Sequence, residues 1–240
     1  MAYSRAFFEL QLIFARRLAA KFDLPLSNTL YNYTTFTKSF GADAWAEYLA
    51  GSTNATDATN WTYAWYQAHQ QPDPTPHDSH YDGHPQFGCF SFAVRETTII
   101  RPVFIKNDIP GMRPLSSSRI VVRQNEIQRM MTYIHQHVPL AQAVANNSWL
   151  YNLAAYRRLY PPVYTTTMEI NTNDEFQFLA IWGQCFDSDW NVKAEVATEL
   201  LRRVDALTDL TNLYTCFPYP ILQPSCSIDV FYAFYDIDSH

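Results

Sequence analysis

FGCFSFAVR (residues 87–95) and TIIRPVFIK (residues 98–106), separated by Glu96 and Thr97, run directly into NDIPGMRPLSSS (residues 107–118). The first segment alternates and the second is rich in β-branched residues, so the two predict an antiparallel hairpin. Pro102 has no N–H to give to a ladder, which demotes the second strand toward an edge or a bulge. After the turn, Ser116 or Ser117 offers an N-cap for a helix extending to about His137. Its apolar positions Ile120, Ile127, Met130, Met131 and Ile134 follow helical spacing, and Pro139 stops it. Further along, residues 144–151 read as a short apolar segment and residues 152–160 as a short helix ended by Pro161 and Pro162. A second strand pair is expected at residues 164–170 and 176–186, across the turn at 171–174. An amphipathic helix at 192–207 and a short one at 228–235 close the chain.

Upstream of the hairpin the pattern is helical. Ser4 can cap a first helix whose Phe7, Leu10, Phe14 and Leu18 recur at three and four. Pro25 ends it and Ser27 can cap a second helix to about Phe40. Gly41 and Gly51 bracket a short third helix around Trp45 and Leu49, and a fourth is expected at residues 60–70. Residues 71–86 carry four prolines, three histidines and three aspartates without periodicity, a connection rather than an element interior. The expected organisation is therefore a helical extension (1–70), a connection (71–86) and an α+β domain (87–240).

Composition narrows the class. The chain has 240 residues, 48% of them hydrophobic and 16% aromatic. It can therefore bury a sizeable core. A net charge of -6 gives no basic field to track phosphates, so nucleic acid is not an expected partner. Cys89, Cys185, Cys216 and Cys226 have no CxxC spacing and sit largely in apolar runs, which favours reduced thiols and a cytoplasmic setting. The first apolar run is interrupted by Glu9, Arg16, Arg17 and Lys21, too short for a membrane span.

Two segments carry a resemblance. Arg113-Pro114-Leu115-Ser116-Ser117-Ser118 stands where the GNAT acyltransferase fold has a turn of the form Arg/Gln-x-x-Gly-x-Gly/Ala opening a helix. The segment SWLYNLAAYRRLY (residues 148–160) is similar to that family's Asn-x-x-Ala helix, with Asn152 and Ala155 at matching spacing. The chain thus resembles a GNAT-like mixed sheet with flanking helices, and also the acyltransferase-like domains of uncharacterised bacterial proteins. The resemblance covers about residues 87–186. It implies acyl-CoA or acetyl-CoA as cosubstrate, its pyrophosphate held by Arg113, Ser116, Ser117 and Ser118, and a small-molecule acyl acceptor. Asn152 and Tyr160 are the implied catalytic residues. Two departures stand out. Serine replaces both turn glycines and Pro114 removes a donor. Tyr160 also falls one place late, which turns a helical side chain by about 100°. Glu96, Asp108 and Glu169 are the carboxylates available as general base, and spacing does not choose among them.

Other readings compete. A catalytically degenerate member of the same fold would use its 16 tyrosines, 16 phenylalanines and 6 tryptophans to bind a protein partner or itself, as a homodimer. His77, His80 and His84, interleaved with Asp78 and Asp82, are the best metal-ligating candidates, but their spacing matches no standard motif and no metal is expected. His135 and His137 lie on different faces of one turn. No Gly-x-Ser-x-Gly elbow, P-loop or dinucleotide fingerprint is present.

Overall fold

The computed structural model describes residues 3–40, 42–69, 80–81, 83–105, 113–171, 176–187 and 191–237. In chain order the helices are α1 (Arg5–Phe22), α2 (Leu26–Tyr33), α3 (Phe36–Phe40), α4 (Ala42–Asn54), α5 (Ala58–His69), α6 (Ile120–His137), α7 (Ala154–Arg157), α8 (Pro162–Thr166), α9 (Leu179–Trp182), α10 (Ala194–Ala206) and α11 (Ile228–Phe234). The strands are β1 (His80–Tyr81), β2 (His84–Pro85), β3 (Phe90–Arg95), β4 (Ile99–Phe104), β5 (Ala143–Ala145), β6 (Glu169–Ile170), β7 (Leu222–Gln223) and β8 (Ser225–Ser227). The chain is α+β with a mixed sheet. No described helix is long and apolar enough to cross a membrane.

Two compact units form, one from residues 1–73 with 172–221, the other from residues 74–171 with 222–240. This division differs from the expected one. Residues 172–221, expected within the 87–240 domain, pack with the N-terminal helices instead. The reason is aromatic: Phe14 meets Trp182 edge-on at 5.0 Å and Phe217 at 5.8 Å, and Phe7 meets Phe186 at 4.7 Å. Arg17 also reaches Asp205 and the Leu201 carbonyl on α10.

In this first unit Ser4 caps α1, its Oγ accepting from the Phe7 N–H at 3.3 Å, as a serine at that position ordinarily does. The expected helix to residue 40 is broken at Thr34 and Thr35. Buried Gln11 causes the break: its Oε1 accepts from the Thr35 N–H at 2.7 Å and from the Thr35 hydroxyl at 3.0 Å. The Thr34 hydroxyl meanwhile donates to Leu30 O at 2.5 Å. Helix α4 runs through Gly51 instead of stopping there, and the glycine leaves room for the Trp61 indole, which occupies the space a Cβ would fill.

The second unit holds a four-stranded sheet in the order β3-β4-β5-β8. β3 and β4 are antiparallel in the register Arg95↔Ile99 to Phe90↔Phe104, which matches the expected hairpin. Thr98 N–H donates to Arg95 O at 3.2 Å across the turn, and Glu96 (φ 50°) and Thr97 (φ 61°) both sit in the left-handed region. Neither residue suits that conformation, least of all β-branched Thr97. The double substitution E96N with T97G is expected to stabilise the protein by about 1 kcal/mol, seen as a higher urea midpoint with unchanged slope.

β4 is interior, not an edge, which corrects the reading from Pro102. The Ile105 N–H donates to Cys89 O at 2.8 Å. Hydrogen-bonded pairs alternate along an antiparallel ladder, so in this register the Pro102 nitrogen faces the β5 side. There it costs nothing, because β5 pairs with β4, in parallel, only at Ile99↔Ala143 and Ile100↔Val144. Beyond that point the β5 chain stays with its other neighbour. Asn146 N–H donates to Pro224 O at 3.3 Å, and Ser148 and Leu222 exchange bonds at 3.1 and 3.2 Å. The two parallel strands therefore pair at their N-terminal ends and part toward their C-terminal ends.

α6 covers the sheet with Ile127, Met130, Met131 and Ile134, all fully buried alongside Phe90, Phe92, Ile100 and Val144. The expected strand pair at 164–170 and 176–186 is replaced by α8, the two-residue β6, α9 and a 3-10 turn at Gly183–Cys185. Pro162 sits at the start of α8, where a missing N–H is harmless. The hydroxyls of Thr165, Thr166 and Thr167 donate back to the carbonyls of Pro162, Val163 and Tyr164 at 3.0–3.1 Å.

Candidate functional site

The gap where β4 and β5 part and the turn ahead of α6 are linked by the α7 segment: Tyr156 meets Phe104 at the end of β4 at 5.8 Å, and Arg158 donates to Leu115 O at 3.0 Å. Ahead of α6, Ser117–Arg119 form one 3-10 turn with Ser116 at the capping position, so the helix begins about where the serine run places it. Ser116 N–H donates to Arg113 O at 3.0 Å, and Arg119 N–H to Ser116 O at 3.0 Å. The main-chain N–H groups of Ser117 and Ser118 have no acceptor among the described residues. Both serines are exposed, as is Arg113, and the Ser116 and Ser118 hydroxyls are 3.1 Å apart. The turn is open to solvent, ahead of an 18-residue helix. Its free donors lie at the positive end of the helix dipole.

Sequence reasoning misses what fixes this turn. Arg123, only 1% exposed, donates from Nε to Pro114 O at 3.2 Å and pairs through its guanidinium with buried Glu126. The Glu126 carboxylate in turn accepts from the Cys89 N–H at 3.0 Å. This buried pair ties the serine turn to the start of β3. From the other side Arg158, past the end of α7, donates to Leu115 O at 3.0 Å.

Asn152 does not open a helix as expected. It closes a 3-10 turn at Trp149–Asn152, its Nδ2 donating to Trp149 O at 2.7 Å, and α7 begins two residues later at Ala154. Ser148 caps the turn by accepting from Leu150 N–H at 3.1 Å. Tyr160 is 2% exposed and donates its hydroxyl to Tyr156 at 2.7 Å. It belongs to a buried cluster in which the Tyr151 and Tyr164 hydroxyls are 3.1 Å apart, with Tyr156 also meeting Phe104 at the end of β4 (5.8 Å). Burial pushes the Tyr151 phenol up to about 12, and those of Tyr156, Tyr160 and Tyr164 well above the usual tyrosine range, because desolvation disfavours the charged phenolate. These phenols are neutral at ordinary pH, so they can donate a hydrogen bond but cannot serve as a base.

Asn146 joins the cluster to the gap. Its Nδ2 donates to Pro102 O at 2.7 Å and lies 3.3 Å from the Tyr151 hydroxyl; its Oδ1 accepts from Arg101 Nε at 3.2 Å and Asn147 N–H at 2.8 Å.

The remaining sequence candidates are scattered. Glu96 is at the hairpin tip, Glu169 is exposed on β6, and Asp108 lies outside the described residues. So do His77, Asp78 and Asp82, while the His84 ring stacks on Phe92 at 4.3 Å. His137 stacks on Tyr133 at 4.0 Å, and His135 lies edge-on to Tyr232 at 4.8 Å. No protein-family model, curated protein or solved structure matches this chain.

Proposed function

We propose that the sheet-bearing unit is a GNAT-like acyl-CoA-binding module, with the diphosphate at residues 113–118 and the thioester arm running into the gap beyond Ile100 and Val144. The observation that carries this reading is the parallel β4–β5 pair. It separates after two residue pairs, and the helix start that follows β4 in the chain leaves the Ser117 and Ser118 amides without a partner among the described residues. A phosphate there meets unpaired N–H groups, a helix dipole and the Arg113 side chain together. Serine in place of glycine leaves those amides available, since Ser117 and Ser118 lie in a regular 3-10 turn. Such a turn needs no positive φ.

In this reading an acceptor amine attacks the thioester carbonyl: a C–N bond forms, the C–S bond breaks, the amine gives up a proton and the thiolate takes one. Positioning and hydrogen bonding of the carbonyl supply most of the rate. Tyr160, enclosed behind Tyr156, would donate a proton only through that neighbour's hydroxyl, and Asn152 would hold the turn beside the gap.

Calorimetry with acetyl-CoA and longer acyl-CoAs tests the binding. Arg113→Glu is expected to weaken it at least about 10-fold by setting a carboxylate against the diphosphate. Absence of binding by the unaltered protein overturns the reading. The enclosure of Tyr160 favours a second version, a degenerate member that binds acyl-CoA without turnover. Incubation of the complex with a panel of primary amines distinguishes the two by release of free thiol.

A further inference from the structure

Where β4 and β5 pair, each satisfies the other's main chain. Past Ile100 that supply ends, and on the β5 side Pro102 presents a carbonyl that no strand pairs among the described residues. Asn146 fills the place: one carboxamide donates to Pro102 O at 2.7 Å and accepts from Arg101 Nε at 3.2 Å. Chemically, a side-chain carboxamide offers the same N–H donor as a peptide unit, so Asn146 Nδ2 stands in for the one main-chain donor that Pro102 O lacks on this side. It does so from the chain that has just left β4, on a side chain with two rotatable bonds. Its own main-chain N–H is held independently by Pro224 O at 3.3 Å, so the side chain can turn without the backbone leaving β8's side of the sheet.

We infer that Asn146 is a built-in occupant of the gap, a latch whose carboxamide turns away from Pro102 when an extended, amide-bearing arm takes its place. The inference rests on the acyl-CoA reading, because that ligand class brings secondary amides to exchange for the carboxamide. For Pro102 O the exchange is even, since it loses one amide donor and gains another. The released Asn146 side chain is hydrated instead, and Arg101 Nε and the Asn147 N–H both lose the Asn146 Oδ1 acceptor.

Pantetheine and acetyl-CoA are the probes. Asn146→Ala removes the occupant, and both probes are expected to bind about 10-fold more tightly than to the unaltered protein, the gain from no longer displacing one hydrogen-bonded group. Equal or weaker binding by a folded Asn146→Ala protein, while the unaltered protein binds acetyl-CoA, overturns the latch and leaves the acyl-CoA reading standing. Failure of both proteins to bind either probe overturns both. Because Asn146→Ala also removes buried bonds and can unfold the unit, the unaltered protein supplies a second measurement, the amide hydrogen exchange of Asn147. With saturating acetyl-CoA its protection is expected to fall as Asn146 Oδ1 departs. Unchanged protection in the bound protein overturns the latch.

Discussion

Arg123→Met is expected to destabilise the sheet-bearing unit by about 3–5 kcal/mol, the range for removing one partner of a buried ion pair. The Glu126 carboxylate would be left inside with the Cys89 N–H as its remaining partner, and Pro114 O would lose the Arg123 Nε donor. Urea unfolding of the variant measures the loss. The double variant Arg123→Met with Glu126→Leu is expected to recover much of it, because apolar side chains of similar volume commonly replace a buried pair at little cost. Recovery of stability without recovery of acetyl-CoA binding would show that the pair is there to hold the serine turn. Recovery of both would reduce it to a core detail. Lysine is not an adequate substitute, since it lacks the planar fork that reaches the carboxylate and the carbonyl at once.

Gly88→Ala is the second large effect, about 2–5 kcal/mol, summed from a backbone cost of about 1–2 kcal/mol and overpacking of about 1–3 kcal/mol. Gly88 has φ +66°, in the left-handed region, and a Cβ built there lands on the Glu126 carboxyl. The new methyl also pushes Glu126 off the Cys89 N–H, so the damage spreads into the buried pair. Gly83 provides the control: its φ is +79° but no described residue lies within 4 Å of an added Cβ. Gly83→Ala should therefore show the backbone cost alone. A Gly88→Ala protein no less stable than Gly83→Ala would mean that Glu126 yields freely and the pair is loosely held.

The elements legible in the sequence are those whose period is long and whose punctuation is local. α1 announces itself through Ser4 and a four-turn apolar stripe, α6 through its apolar positions and Pro139, and the hairpin through alternation on either side of Glu96 and Thr97. The stretch from 162 to 186 misleads because its β-branched and aromatic residues favour a strand reading. The deciding information lies in Pro162 at a helix start and in the hydroxyls of Thr165, Thr166 and Thr167, which bond back to the carbonyls of Pro162, Val163 and Tyr164. In the second half of that stretch the buried set Ile181, Trp182, Cys185 and Phe186 repeats at four, a helical spacing available to a closer count.

At the candidate site, the helix start and the position of Asn152 are readable but the latter's role is not: a 3-10 turn replaces the helix opening. Arg123 and Glu126 escape notice because an i,i+3 charge pair on an amphipathic helix ordinarily faces water. A signal exists, since Arg123, Glu126, Ile127, Met130 and Ile134 share one face, which puts two charges on the apolar stripe. Asn146 gives none. Its importance comes from a neighbour strand ending, a long-range fact that no local pattern encodes.

The interleaved path of the backbone has a consequence for biogenesis. Arg17 finds its partner on α10 across a separation of 184 residues, and β5 waits for β8, formed by residues 225–227 near the carboxy terminus. On a ribosome the first unit cannot close until residue 221 has been added, nor the second until residue 227, so nascent aromatic surface stays uncovered until then. Folding of each unit is then paced by long loop closures, and the aromatic surface uncovered in the interval is prone to aggregation.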